Sequence, residues 1–190
     1  MDDDNLLRGQ LVYLAAQDPD SDAAIVASWS HDSEFLRLLS SDPARMRTAQ
    51  YWKDSMAQAA GSPNGFPFAI HTLEQDRLIG FVALWILSWP SAEAIVAIGL
   101  GQAADRGRGY GTDAMRVALR YAFEEVNLER VTLQAFGHNA RALRAYEKAG
   151  FVLEGQEPEW LRRDGQPQAH VNMGILRADW QRALAAARSD

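Results

Sequence analysis

Short hydrophobic stretches separated by turn residues divide the chain into candidate strands. FPFAIHTLE and RLIGFVALWIL are rich in β-branched and aromatic residues and are separated by a Gln75–Asp76 turn, which predicts a β-hairpin. A third stretch, AEAIVAIGLG, follows and ends in glycine, and RVTLQAF places Val131, Leu133 and Ala135 on one face. Further strands are predicted over GQLVYLAA near the start and over FVLEG and AHVNMGIL near the end.

Helical patterns fill the intervals between these strands. In DPDSDAAIVASWS, Asp20 or Ser21 is the predicted N-cap. In SDPARMRTAQYWKDSMAQAA, Asp42 is the predicted N-cap, Pro43 occupies the first helical position and Gly61 follows the end. The remaining predicted helices run from about Thr112 to Val126, from Asn139 to Gly150 and over RADWQRALAAAR.

The order of these elements favours one fold class. A strand and helices precede three strands, and then a helix, a strand, a helix, two strands and a last helix follow. Because this order mixes an antiparallel meander with strand–helix–strand crossovers, it predicts an α+β fold with a mixed, mostly antiparallel sheet flanked by helices. A length of 190 residues predicts a single domain over residues 1–190.

Composition narrows the classes of function. The chain has no cysteine, which removes disulfides, thiolate metal sites and a cysteine nucleophile. A net charge of −6 argues against general nucleic-acid binding, since such proteins are expected to be basic. The longest apolar run, Leu78 to Trp89, is shorter than the ~18 residues of a membrane helix, and MDDDNLLRGQ lacks a signal pattern. We therefore expect a cytoplasmic protein without a membrane partner, and His31 and His138 stand alone and suggest no metal site.

A glycine-rich turn directly before a predicted helix carries the clearest chemistry. We call RGRGYGT, residues Arg106 to Thr112, the glycine loop. The first N–H groups of a helix have no internal partners and carry partial positive charge, and glycines let a bulky anion approach the backbone. Arg106 and Arg108 add full charges, so the pattern favours a phosphate or pyrophosphate at the helix N-terminus.

Other interpretations of the glycine loop are a solvated surface turn and an RNA-binding segment. The acidic balance and the helix directly after the turn argue against RNA. A P-loop is excluded because the sequence has no G-x-x-x-x-G-K-[ST]. A Rossmann fingerprint would normally belong to an early strand–helix unit, whereas this loop follows an apparent meander.

Two motifs together resemble a known family. The glycine loop resembles the R/Q-x-x-G-x-G/A pyrophosphate loop of the GNAT N-acetyltransferases through Arg106, Gly109 and Gly111. Some thirty residues later, NARALRAYEKAGF resembles the second signature of that family, and the match runs from about Ile98 to Phe151. The bacterial branch that contains ribosomal-protein N-terminal acetyltransferases is the most similar.

The resemblance implies a site for acetyl-CoA as cosubstrate. Backbone N–H groups of the glycine loop would hold its pyrophosphate. The end of the third meander strand would pair with its pantetheine arm, in a gap between the fourth and fifth strands of the sheet. The predicted cofactor-binding residues are Leu100, Gly101, Arg106, Gly107, Arg108, Gly109, Tyr110, Gly111, Thr112, Asn139, Ala142 and Tyr146.

Asn139 and Tyr146 are seven residues apart, so they share one face of their helix about 10 Å apart along its axis. A small residue, Ala142, lies between them. The sequence alone also allows Asn139 to be a plain N-cap and Tyr146 a core aromatic. The resemblance implies that Tyr146 is the catalytic residue and donates a proton to the leaving sulfur. Arg144 and Lys148 are either contacts of the 3′-phosphate of coenzyme A or solvated charges.

The sequence does not identify the general base that would take the proton of the amine. Some family members use a glutamate on the strand before the glycine loop, but AIVAIGLG carries no acid, and Glu93 lies at the far start of that strand. His71, Glu159 and His170 are the other candidates, each with a surface or structural role as the alternative. Trp85, Trp89 and Trp160 are candidates for an acceptor groove, with core packing or a dimer surface as the alternative.

The resulting hypothesis is direct transfer of an acetyl group to a primary amine, in a monomer or homodimer. The amine could belong to a protein N-terminus, a polyamine, an aminoglycoside or another small molecule. The alternative is a non-catalytic acyl-CoA sensor or scaffold on the same fold, which the missing strand glutamate supports.

Overall fold

A seven-stranded sheet in the order β1-β2-β3-β4-β5-β7-β6 organises the computed structural model, which describes residues 5–187. Every neighbouring pair is antiparallel except β4 and β5, which are parallel. The predicted α+β fold with a mixed, mostly antiparallel sheet is therefore confirmed. The strands are β1 (Val12–Ala15), β2 (Gly65–Thr72), β3 (Leu78–Ser88), β4 (Glu93–Leu100), β5 (Arg130–Phe136), β6 (Val152–Arg163) and β7 (Gln166–Leu176).

Helices cover the two faces of this sheet, and adjacent strand residues such as Ala69 and Ile70 of β2 join different apolar clusters. One cluster packs α1, α2 and α3 against the sheet, and the larger one packs α4, α5 and α6 against the other face. The helices are α1 (Pro19–Trp29), α2 (Ser33–Leu39), α3 (Ala49–Ala60), α4 (Tyr110–Arg120), α5 (Ala140–Ala149) and α6 (Arg177–Ala187). A π-helical turn, Tyr121–Glu125, continues α4.

The predicted starts of the first two helices are wrong. The N-cap of α1 is Asp18, whose side chain accepts the N–H of Asp20 at 3.0 Å, with Pro19 in the first helical position. The helix predicted from Pro43 begins instead at Ala49, where Thr48 is the cap.

Tertiary contacts explain why the chain is not helical after Asp42. The guanidinium of Arg163, at the tip of the β6–β7 hairpin, donates to the carbonyl oxygens of Ser40, Ser41 and Asp42 at 3.0, 3.2 and 3.3 Å. Of these three carbonyls, only that of Asp42 would accept a bond in a helix capped at Asp42, and Arg163 occupies it instead. The same part of the chain contains α2, which the sequence patterns did not predict.

β4 and β5 pair over only three positions, from Glu93–Ile95 on β4 to Arg130–Thr132 on β5, and then separate. The predicted gap between the fourth and fifth strands is therefore present. The hairpin of β6 and β7 is longer than predicted, because EPEWLRRDGQP forms the strand ends around an Asp164–Gly165 turn with positive φ angles of 54° and 74°. No helix in the part of the chain that the structure describes is long and apolar enough to cross a bilayer.

Candidate active site

A cavity of about 310 Å³ lies where β4 and β5 separate, and we call it the central cavity. Its walls come from four elements: the glycine loop, the end of β4, one face of α5 and one side of α2. Most of the predicted cofactor-binding residues line it, namely Leu100, Arg106, Gly107, Gly109, Gly111, Thr112, Asn139, Ala142 and Tyr146.

Two positive φ angles shape the glycine loop. Gly107 has φ of 76° and Gly109 has φ of 90°, a left-handed conformation that costs other residues roughly 1–2 kcal/mol. The N–H groups from Gly107 to Thr112 make no hydrogen bond to any residue within 5–187. Consecutive free N–H groups at the start of α4 form a nest that an anion can occupy.

Buried carboxylates hold the two ends of this loop. Asp105, just before it, is buried and accepts two hydrogen bonds from Arg77, at 2.9 and 2.6 Å. Asp113, just after it, accepts the N–H groups of Gln10, Leu11 and Val12 at 3.1, 2.7 and 3.0 Å. The loop is therefore anchored independently of any ligand.

Three predicted cofactor residues do not line the central cavity within the described residues: Gly101, Arg108 and Tyr110. The N–H of Gly101 donates to Ile79 O at 2.9 Å, and a Cβ on this glycine would lie 2.0 Å from the ring of Trp29. The guanidinium of Arg108 lies 5.6 Å from the ring centre of Tyr110. Their cofactor contacts stay predictions, and Gly101 has a packing role.

α5 presents its predicted residues to the cavity. Asn139 caps this helix, with its side-chain oxygen accepting the N–H of Ala142 at 3.2 Å. Asn139, Ala142 and Tyr146 all line the cavity, as their shared helical face predicts. The plain N-cap role of Asn139 is thus present, and its cofactor contact stays a prediction.

Comparison with known proteins agrees with this geometry. The profile of the acetyltransferase (GNAT) domain matches residues 12–152, which is most of the chain. The chain belongs to the GNAT acetyltransferase family. The predicted family and fold are therefore confirmed, and N-acetyltransferase and acetyl-CoA are the enzyme class and cosubstrate of that family.

Individual relatives differ in substrate. A probable N-acetyltransferase of Bacillus subtilis, YjcK, is 34% identical over 115 residues, which cover 60% of this chain and 63% of YjcK. A putative ribosomal N-acetyltransferase of that bacterium, YdaF, is 27% identical over 75% of this chain and 74% of its own. The Vibrio cholerae spermidine N-acetyltransferase, solved with CoA and spermine, has the same fold, with a TM-score of 0.78, 22% identity, and coverage of 90% of this chain and 98% of its own.

In this GNAT site the hydroxyl of Tyr146 makes no hydrogen bond to another described residue. Its ring packs edge-on against Phe151, with ring centres 6.3 Å apart. Burial raises the pKa of Tyr146 to about 12, so the phenol is protonated throughout the physiological range. Tyr146 therefore carries a proton that it can donate, and its basic phenolate form is not populated.

The cavity wall contains residues that sequence reasoning missed. Arg141 lies on α5 beside the proposed phosphate contacts Arg144 and Lys148, and its i, i+3 and i, i+7 spacing to them is a signal that could have identified it. Phe35, Leu38 and Leu39 line the opposite wall from α2. They were missed because α2 itself was not predicted.

None of the candidate bases lines the central cavity in the described residues. Glu93 is about 23 Å along β4 from Leu100 and pairs with Arg130 at 3.0 Å. His71 stacks on Tyr13, and Glu159 is exposed on β6. The arrangement therefore assigns no base.

Two of the candidate acceptor-groove tryptophans lie away from the cavity, on or just after the far end of β3. Trp85 packs over Gly65, where a Cβ would lie 2.5 Å from its ring, and Trp89 donates to Asn64 at 2.8 Å. Trp160 instead stacks on His170, with ring centres 4.0 Å apart, and lies 5.9 Å from Phe136 at the end of β5. An acceptor role for Trp160 stays a prediction.

His170 gives the protein a predicted pH dependence. It is 5% exposed, its Nδ1 has no hydrogen-bond partner among residues 5–187, and burial lowers its pKa while Glu157 offsets only part of that change. The unfolded chain therefore binds the proton more readily, and the stability conferred by neutral His170, complete at pH 7, is lost as the pH falls below about 6.5. Urea titrations at pH 7 and pH 5 should show a smaller loss in His170→Gln than in the wild type; equal losses would contradict this assignment.

Proposed function

We propose that this protein is an acetyl-CoA-dependent N-acetyltransferase that transfers an acetyl group directly to a primary amine. One observation carries the proposal. A single cavity joins the free N–H groups of the glycine loop, the separated end of β4 and the protonated phenol of Tyr146.

The residues present fit acetyl-CoA, which supplies an acetyl group activated as a thioester. The free N–H groups after Gly107 and the start of α4 suit its pyrophosphate. Arg144 and Lys148 add positive charge on the α5 wall for its other phosphate. The small side chain of Ala142 leaves room for a slender pantetheine arm between them.

The chain's own contribution to the reaction is positioning and proton transfer. The bond from the amine nitrogen to the acetyl carbon would form as the C–S bond of the thioester breaks, and Tyr146 would protonate the leaving sulfur. The nitrogen would release its extra proton to solvent, from which Tyr146 would regain a proton; a pKa of about 12 keeps the phenol protonated before each turnover. The chain has no cysteine, so an acetyl-cysteine intermediate is impossible, and this favours direct transfer in a ternary complex with the amine. The amine must be neutral when it attacks.

The cavity wall favours one kind of acceptor. Its charged lining residues in the described chain are all cationic, namely Arg106, Arg141, Arg144 and Lys148, and its α2 side is apolar. Arg106 and Arg141 are paired with Asp32 and Glu34, and Arg144 and Lys148 would face the phosphates of coenzyme A, so these cations alone do not repel an acceptor. The lining in the described residues has no carboxylate to receive the further charges of a polyamine, however, whereas an amine on an uncharged body needs none. A peptide α-amine, with a pKa near 7.7–8.0, also loses its proton without a strong base. We therefore propose an α-amine or similar monoamine as acceptor, in the cytoplasm, where the absence of cysteine fits a reducing environment.

Isothermal titration with acetyl-CoA is the first test. We expect one site with a dissociation constant of about 1–100 μM, and a protein that does not bind at high micromolar concentration would contradict the proposal. A thiol-release assay should then show turnover with short peptides that have a free α-amine, and much less with spermidine. Binding without thiol release across a broad amine panel would favour the acyl-CoA sensor instead.

A further inference from the structure

Arg106 opens the glycine loop, yet its side chain turns away from solvent and is only 8% exposed. Its Nη2 donates to the carbonyl oxygen of Gly101 and to Oδ2 of Asp32, each at 2.7 Å. Its Nε donates to the carbonyl oxygen of Leu100 at 3.3 Å. The guanidinium therefore links the end of β4 to the residue that precedes α2.

Asp32 is shared between two tasks. Its Oδ1 accepts the N–H groups of Glu34 and Phe35, at 2.9 and 3.2 Å, and so caps α2, while its Oδ2 accepts Arg106. Burial works to raise the pKa of Asp32, but the hydrogen bond and charge of Arg106, together with the two N–H groups, lower it overall. The carboxylate is therefore ionised at neutral pH, and the ion pair with Arg106 is formed.

Two further residues in the first turn of α2, Glu34 and Phe35, also lie close to the side chain of Arg106. Glu34 Oε2 lies 3.6 Å from Nη1 of Arg106, and the Phe35 ring centre lies 5.9 Å from its Cζ. α2 has only 7 residues, too short to be stable by itself, so its position depends on such contacts. The contacts that position α2 therefore also position Phe35, Leu38 and Leu39, which form the apolar wall of the central cavity.

We propose that Arg106 is a positioning residue: through Asp32 it holds α2, the acceptor-side wall of the central cavity, against the glycine loop, so that coenzyme A binding at the loop orders α2. This inference rests on the proposed function, because it takes the cavity as the acetyl-CoA site. It differs from the role of phosphate ligand that the family motif implies. Nη1 has no hydrogen-bond acceptor in the described residues, so a phosphate contact is the competing assignment that the experiment must decide.

Hydrogen exchange measured by mass spectrometry tests the free protein first. Arg106→Gln and Asp32→Asn should each raise exchange of residues 36–39 about tenfold, since each removes the charge-assisted bond. Asn caps helices about as well as Asp, so Asp32→Asn isolates the ion pair, and Asp32→Ala should raise exchange further. Arg182→Gln, which removes an exposed arginine on α6, should change nothing in α2.

Adding coenzyme A then tests whether binding at the glycine loop orders α2 through Arg106. Coenzyme A should slow exchange of residues 36–39 in the wild type but not in Arg106→Gln. The dissociation constant of coenzyme A should differ less than about threefold between the two proteins. If Arg106→Gln instead raised the dissociation constant of coenzyme A about thirtyfold or more and left α2 exchange unchanged, the proposal would be overturned and Arg106 would be a phosphate ligand. If the wild type binds no coenzyme A, the proposed function fails, and unchanged α2 exchange in the free variants would separately overturn the positioning role.

Discussion

Replacing Tyr146 by phenylalanine is expected to lower kcat about 100-fold while leaving the dissociation constant of acetyl-CoA within about twofold. General acid catalysis contributes typically 10²–10⁴-fold, and the variant removes only the hydroxyl that would donate the proton. The ring contact with Phe151 and the shape of the cavity wall are retained. Steady-state kinetics with a reactive α-amine peptide, together with calorimetric titration, measure the two quantities separately.

Tyr121→Phe is the matched control for this variant. Tyr121 is also a partly buried tyrosine whose pKa is raised by burial, but its ring packs against Phe66 and Phe68 outside the cavity lining. It should leave kcat unchanged within error. An equal kcat in Tyr146→Phe and the wild type would remove Tyr146 from its proposed role and leave it as a wall of the cavity.

Local signals explain why the glycine loop and the α5 wall of the central cavity could be predicted from sequence. Gly107 and Gly109 are the residues that a left-handed turn requires, and the turn directly precedes a helix. The capping side chain of Asn139 and the left-handed Gly150, with φ of 106°, bound α5 where the sequence predicts it. Each of these features is encoded by residues within a few positions of one another, so no long-range contact is needed to find them.

The α2 wall of the central cavity could not be predicted in this way because distant contacts build it. α2 is held by Arg106, and the segment after it is held by Arg163, more than 100 residues further along the chain. The helix expected from Pro43 had sound local signals, yet contacts of the hairpin tip prevailed over them. The same holds for Arg106, whose place in a phosphate-binding motif gives no sign of its bonds to Asp32 and the end of β4.

Replacing Gly107 by valine is expected to weaken acetyl-CoA binding about 100-fold. Gly107 lines the central cavity with φ of 76° and has open space where a Cβ would be, so a side chain would stand beside the free N–H groups. Valine also disfavours the left-handed conformation that aligns those groups. A loss of this size, about 2.7 kcal/mol, corresponds to several charge-assisted hydrogen bonds that can no longer form together.

Gly165→Val separates this effect from backbone strain. Gly165 has φ of 74° and equally open space, but it lies in the β6–β7 turn and does not line the cavity. Because the two glycines match in conformation and surroundings, both variants should lose similar stability in urea titrations, and only Gly107→Val should lose acetyl-CoA affinity in calorimetric titration. If Gly107→Val bound acetyl-CoA as tightly as Gly165→Val, the glycine loop would be a structural turn, and the pyrophosphate would have to bind elsewhere.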